Sequence, residues 1–416
     1  MSSGLILKAL ITLTLAGTLL SQPTAAGAQT KGRARQPRAK PQAPQPQQAP
    51  DRPSPAFDQA VKLGDEARAA TRLEEALGHY AQALKLRPKW AEGWWYVGAI
   101  LYERDRYAEA RDALRNVVEL DPKRGAAWGL LGLCEFQTRE YERAGNSLLR
   151  GRALGFDGNR ELAAVATYHA ALLYIRFEQF EVGFDALTDF VRVGNEGTKV
   201  IEAFGLALMR MPFLPSELPA DRREQVMLAG RAGYDMAARR MDQARAAFDT
   251  LLQRYPNEPN VHYAFGVYML NQDADAAMKE FRRELEISPQ HYPAMTQMAF
   301  EHLKRDEFET ALPLAEKAVQ LAPKMFAARN VLGRVLLELG QIDRAIKELE
   351  EGTRLAPNSP EMHYALGRAY RRAGREADAR REVALFQKLQ EEANARRNAQ
   401  VGLGGEEAGG EPKAKP

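Results

Sequence analysis

The sequence predicts an all-α chain, a right-handed superhelical solenoid of stacked antiparallel helix pairs. Three observations carry that reading. Gly64, Gly98 and Gly132 recur every 34 residues, and Ala76, Ala110 and Ala144 keep the same interval. So do Pro88 and Pro122, and Trp94 and Trp128. The interval returns downstream in Pro289, Pro323 and Pro357, in Ala311, Ala345 and Ala379, and in Gly333 and Gly367. A fixed period of this length marks helical hairpins that bury their apolar faces only by stacking on one another.

The first unit spans about 57–90. Gly64 sits in its first helix, Ala76, Tyr80 and Ala83 share one face of its second, and Pro88 ends the pair. Small residues at Gly64 and Ala76 let two helices cross closely, while Tyr80 fills the space between units. Pro88 lacks an amide hydrogen and helps to stop the second helix. The second unit, 91–124, repeats this with Trp94, Gly98, Ala110, Leu114 and Pro122; the third, 125–158, has Trp128, Gly132, Ala144 and Leu148, with Phe156 in place of the proline. Residues 164–197 read as a degenerate unit around Ala171, Tyr174, Gly183, Leu187 and Phe190.

The interval then fails across 198–222, where Pro212, Pro215 and Pro219 forbid a continuous helix. It resumes at 225–258 with Ala232, Ala244, Phe248 and Pro256, and continues at 259–291, one residue short, with Gly266, Ala277, Phe281 and Pro289. Units at 292–325, 326–359 and 360–393 complete about nine pairs. The polar run after Phe386 suits a final helix that shields the last unit, and the Gly- and Glu-rich tail from 399 to 416 is expected to be disordered.

At these offsets Trp, Leu-Gly, Ala, an aromatic, Ala and Pro resemble the markers of the tetratricopeptide repeat family, over about 57–393. The likeness is strongest at the two ends and weakest between 159 and 258. The pentatricopeptide family, which reads RNA, has a similar period but lacks this marker set.

Composition fits a soluble scaffold: 416 residues, 45% hydrophobic and 27% charged, with a formal charge of +3. Residues 29–54 carry a net +5 and Lys8 one further charge, which leaves 55–416 near −3 and gives no basic bias toward nucleic acid. Cys134 is the only cysteine, so no intramolecular disulfide can form, and its apolar neighbours mark it as a core residue.

The first 28 residues read as an export signal: Lys8, an apolar run from Ala9 to Leu20, and the small-residue site Ala26-Gly27-Ala28. The expected location is therefore periplasmic or secreted, in a protein of bacterial type, with an uncleaved anchor as the alternative. The Pro- and Gln-rich cationic stretch 29–54 reads as a disordered spacer; its functional alternative is contact with an anionic envelope surface.

No phosphate-binding loop, His-Glu-x-x-His, Gly-x-Ser-x-Gly or cysteine pair is present. The six histidines fall in different units without ligand spacing, so no metal, cofactor or catalytic set is expected. What the family resemblance implies is a non-enzymatic scaffold or adaptor that holds a protein or peptide in its concave groove, lined by the first helix of each pair. Carried onto this chain, an N-terminal arc (55–197) presents Trp95, Tyr102, Leu133, Phe136, Tyr168, Leu172 and Ile175, which suit a hydrophobic peptide. A C-terminal arc with its capping helix (223–398) presents Tyr263, Asn271, Gln297, Asn330, Arg334, Tyr364, Arg368, Arg371 and Arg372, which suit an anionic segment. Asn330 and Arg334 do not reproduce the family's carboxylate-clamping set. A membrane- or wall-anchored assembly factor of the cell envelope is the alternative function, and the oligomeric state stays open.

Overall fold

A computed structural model describes residues 54–156 and 158–405, with side chains to 395. The expected signal (1–28), most of the linker (29–53) and the end of the tail (406–416) lie outside the described residues. Among those described there are 19 α-helices, one 3-10 turn and no strand.

In chain order the helices are α1 (Pro55–Ala69), α2 (Leu73–Leu86), α3 (Ala91–Glu103), α4 (Tyr107–Leu120), α5 (Gly125–Gln137), α6 (Tyr141–Leu154) and α7 (Arg160–Arg176). Then come α8 (Phe180–Arg192), α9 (Thr198–Leu208), α10 (Arg223–Ala237), α11 (Met241–Arg254), α12 (Val261–Met269) and α13 (Ala274–Ile287). The last are α14 (Tyr292–Lys304), α15 (Phe308–Leu321), α16 (Phe326–Glu338), α17 (Ile342–Leu355), α18 (Pro360–Arg372) and α19 (Glu376–Gly405). The predicted alternation of first and second helices holds throughout, with α9 as an additional member. The described residues form two compact units, 54–173 and 174–405, divided inside α7 rather than at 198–222.

The repeating interval has a steric origin. A Cβ on Gly64 would stand 2.6 Å from the Tyr80 ring, on Gly98 2.8 Å from Leu114, on Gly132 2.7 Å from Leu148 and on Gly333 2.5 Å from Leu349. Each large partner lies sixteen residues further on and is fully buried. In the unit that is one residue short, the partner of Gly266 is Phe281, fifteen residues on. The first helix therefore gives up a side chain so that the second can seat one, and the pair buries both.

A second joint links five of the first helices to the turn before them. Trp94 donates from Nε1 to the Pro88 carbonyl (2.8 Å) and Trp128 to that of Pro122 (3.0 Å). In the unit 174–405 the same place is filled by His262 on Pro256 (3.0 Å), Arg329 on Pro323 (2.8 Å) and His363 on Pro357 (2.8 Å). Their other ends reach carboxylates on the second helix: Glu280, Glu348 and Glu382. Burial opposes a charge on His262, but the Glu280 carboxylate and the Pro256 carbonyl outweigh it and hold the imidazole above its ordinary range. The stability it contributes is therefore full in acid and lost as pH climbs through the raised value.

The expected irregular junction is helical over its first half. Residues Val200–Leu208 of α9 are all buried, and α9 closes as other first helices do. Arg210 takes a left-handed conformation (φ 52°) and the Met211 amide donates back to the Leu206 carbonyl (2.9 Å). Thr71, Asp105, Arg139 and Arg239 occupy equivalent left-handed positions. The prolines then direct 211–219 across the surface before α10 begins. This loop is fastened: Leu214 and Leu218 are buried, Arg176 pairs with Glu217 (2.6 Å), and the Leu214 amide donates to Glu217 (3.1 Å). The other departure is at the C-terminus, where α19 continues to Gly405, beyond the expected end at 398.

α9 and α10 approach until glycine is obligatory on both. A Cβ on Gly205 would lie 1.9 Å from the Val226 carbonyl oxygen, and one on Gly230 1.9 Å from that of Ile201. Gly205→Ala should thus destabilise the unit by roughly 3 kcal/mol or more, since backbone cannot yield as a side chain can. Gly78→Ala, mid-helix and with nothing within 4 Å, should be neutral or stabilise by up to about 1 kcal/mol. Urea titrations of the two variants check both signs.

Candidate functional site

In the unit 54–173, Trp95, Tyr102, Leu133 and Phe136 come together in one cluster, in packing rather than on display. Leu133 is only 2% exposed. Trp95 is half-buried beneath the Arg124 guanidinium, 4.2 Å from its ring centre. The Tyr102 ring meets Tyr107 edge-on at 5.6 Å, and Phe136 meets Tyr141 at 5.6 Å and His169 at 4.7 Å. Tyr168 is half-buried and also packs on His169 (5.5 Å). Leu172 is buried, as is Ile175 of the other unit. Leu133, Leu172 and Ile175 therefore offer no surface to a ligand, because neighbouring helices close over them. Cys134 is fully buried and its thiol is pushed up to about 12, chiefly by burial, as suits a core residue.

In the unit 174–405 the later candidates divide in the same way. Tyr263, Gln297 and Asn330 are buried, and Asn330 donates to the Met362 sulfur (3.2 Å), so these three belong to the interior. Asn271 is exposed but stands apart in the turn after α12. Arg334, Tyr364, Arg368, Arg371 and Arg372 do form a surface, on α16 and α18. Arg368 and Arg372 each donate to Glu338 (2.8 Å), and Arg372 also donates to the Leu337 carbonyl (2.5 Å). Burial works against the Glu338 charge, yet the two arginines outweigh it and hold the carboxyl below its usual range. Arg334 lies over the Phe300 ring, 5.3 Å from its centre, and burial followed by the charge of Arg368 lowers its basicity. Tyr364 is half exposed, against Phe386 (5.4 Å), and Arg371 is open to solvent. Arg334, Arg368 and Arg372 thus gather at Glu338, which accepts hydrogen bonds from the last two.

The same unit contains a cleft of about 610 Å³ that the sequence did not suggest. Arg210, at the left-handed turn after α9, pairs with Glu181 and lies over the Phe180 ring (4.7 Å). Facing it is His291, the N-cap of α14. The Ala294 amide donates to its Nδ1 (3.0 Å), so Nε2 carries the hydrogen and donates to Asn260 Oδ1 (3.0 Å). Burial, then the charge of Arg210, drives this imidazole down to about 3, so it is neutral at ordinary pH. Tyr263 stacks obliquely on His291 (4.8 Å) and hydrogen-bonds Gln297, which is why it left the groove. Buried Glu284 accepts the backbone amides of Asn260 (2.9 Å) and Tyr263 (3.2 Å), fixing the start of α12.

Tetratricopeptide repeat models match residues 61–124, 101–158 and 231–292, and a second such model matches 302–369. The chain belongs to the tetratricopeptide repeat family. Members of this family generally bind protein partners and are typically non-catalytic. Among curated relatives, the BBSome complex member BBS4 homolog of Drosophila melanogaster is 25% identical over 42% of this chain and 33% of its own. The general transcriptional corepressor trfA of Dictyostelium discoideum is 22% identical over 34% of this chain and 10% of its own. The chain thus spans a third or less of the length of either. MamA from Desulfovibrio magneticus RS-1 superposes with a TM-score of 0.37 at 20% identity, over 41% of this chain and 96% of that one. That likeness is too loose to build on.

The tetratricopeptide markers say little about Arg210 and His291, because both lie outside the marker positions. One sequence signal did point to the latter: His291 precedes Tyr292-Pro293, a proline placed where a helix begins. Its neutral state has a measurable consequence. Acid protonates the unfolded histidine near its ordinary 6.5 but the folded one only near 3, so this stability falls as pH drops through that window. Between pH 7 and pH 5 the loss is about 2 kcal/mol. His291→Asn keeps a capping side chain without the titration, and urea unfolding should show a smaller loss by that amount.

Proposed function

We propose that this tetratricopeptide protein is a scaffold that holds an anionic peptide segment of a partner protein on the arginine face of α16 and α18. The observation that carries this is the charge count there: Arg334, Arg368 and Arg372 gather around the single acid Glu338, with Tyr364 and Arg371 exposed on the same helix as the last two. An incoming carboxylate would relieve the mutual repulsion of Arg334 and Arg368, and planar guanidinium groups suit it bidentately. The aromatic residues of the unit 54–173 are less suited, since Trp95, Tyr102 and Phe136 already pack against neighbours. We further propose that the chain is exported, on the strength of the apolar run and small-residue site within residues 1–28. Among the described residues no helix is long and apolar enough to cross a membrane.

A peptide array of graded net charge, probed with the purified chain, tests the binding reading. Acidic peptides should be retained in preference to their amide counterparts, with affinity falling as salt rises. Arg368→Glu should weaken the best acidic peptide by about tenfold or more, and Glu338→Gln, which frees two arginines, should tighten it. Retention that is indifferent to peptide charge, or unchanged in both variants, would discard the arginine face as the site.

A further inference from the structure

We propose that the Arg210 cleft is a second binding site, which takes a carboxylate carried on a flat apolar group. It shares no residue with the arginine face, so it stands or fails apart from that reading.

The recognition chemistry follows from what Arg210 has left to give. Its side chain is 11% exposed, and Glu181 is the acceptor it hydrogen-bonds, through Nη1. A guanidinium carries five N–H donors in one plane, and no other described acceptor takes a hydrogen bond from this one. None of its nitrogens is sealed from solvent without a partner, and Arg210 lines the cleft. A carboxylate meets two such donors at once in a charge-assisted pair.

The surroundings sharpen the choice of ligand. His291 adds neither charge nor a free donor, because its Nε2–H is committed to Asn260 and its Nδ1 to the Ala294 amide. Glu178 is the carboxylate on the lining, and it is exposed at a turn where water screens it. Phe180, Pro212, Pro289, Tyr292 and Pro293 make the walls apolar and flat. A single cationic anchor with such walls fits one carboxylate beside one ring or alkyl group, not a polyanion, which would need several cations. The volume lies within the range of small-ligand sites.

Two sources share this chemistry, the C-terminal residue of a peptide and a free small acid. Isothermal titration of the full chain with N-acetyl-Ala-Ala-Phe, with its C-terminal amide and with hydrocinnamate separates them. The free acids should bind, and the amide should bind at least about tenfold more weakly. Binding by the tripeptide alone assigns the site to a peptide end, by hydrocinnamate alone to a small acid, and by both to the shared chemistry. Arg210→Gln should weaken the acids by about tenfold or more. Should circular dichroism show Arg210→Gln unfolded, Gln290→Glu at the lining supplies the same readout by repelling the carboxylate several-fold. An amide that binds as tightly as the acid overturns the proposal. So does the absence of binding by either acid, or full affinity in the folded Arg210 or Gln290 variant.

Discussion

Five helix pairs among the described residues rest on one steric exchange: a side chain omitted from the first helix and a large one seated in its place from the second. Tyr80 over Gly64, Leu114 over Gly98, Leu148 over Gly132 and Leu349 over Gly333 are the same event repeated. Because the seat and its occupant lie a fixed distance apart along the chain, the exchange dictates helix lengths and turn length together. Each pair then presents an apolar outer surface that only another pair can cover, which is how a local contact becomes an extended array.

That contact is also why so much of the fold could be read from the chain alone. Residues such as Gly98, Ala110 and Pro122 recur because each solves a local problem with few solutions. α9 escaped notice for a related reason: the insertion 211–222 moves α10 out of phase, so the partner of Gly205 becomes a backbone carbonyl of Val226 rather than a side chain at the usual distance. The signal was present nonetheless, since Gly205 stands 34 residues after Ala171. The surface was harder to read. Arg334, Tyr364 and Arg368 lie in the most regular pairs, where register alone fixes the exposed side. Leu133, Leu172, Ile175, Tyr263 and Asn330 also occupy first helices, but their exposure depends on what the adjoining helix places above them.

The unit 174–405 gathers its chemistry where regularity loosens. The turn that closes α9 leaves Arg210 in a left-handed conformation with nowhere to go but inward, against Phe180 and Tyr263. Neutral His291 opposite it keeps the enclosure from accumulating positive charge, and Glu181 supplies the countercharge that makes burial of a guanidinium tolerable. The terminal pairs show the opposite economy, with arginines crowded on a regular scaffold and offset by Glu338.

The hydrogen bonds to the turn prolines divide the molecule by mechanism rather than by shape. Where Trp94 and Trp128 close the turn, the donor is an indole that never titrates. Where His262 and Arg329 close it, the donor side chain also reaches a carboxylate, Glu280 or Glu348, on the next helix. What recurs at this place along the chain is therefore reach and an N–H, not a residue name. A chain built this way can drift through tryptophan, histidine and arginine while its backbone stays still, and in doing so converts silent joints into ones that answer to protons and salt.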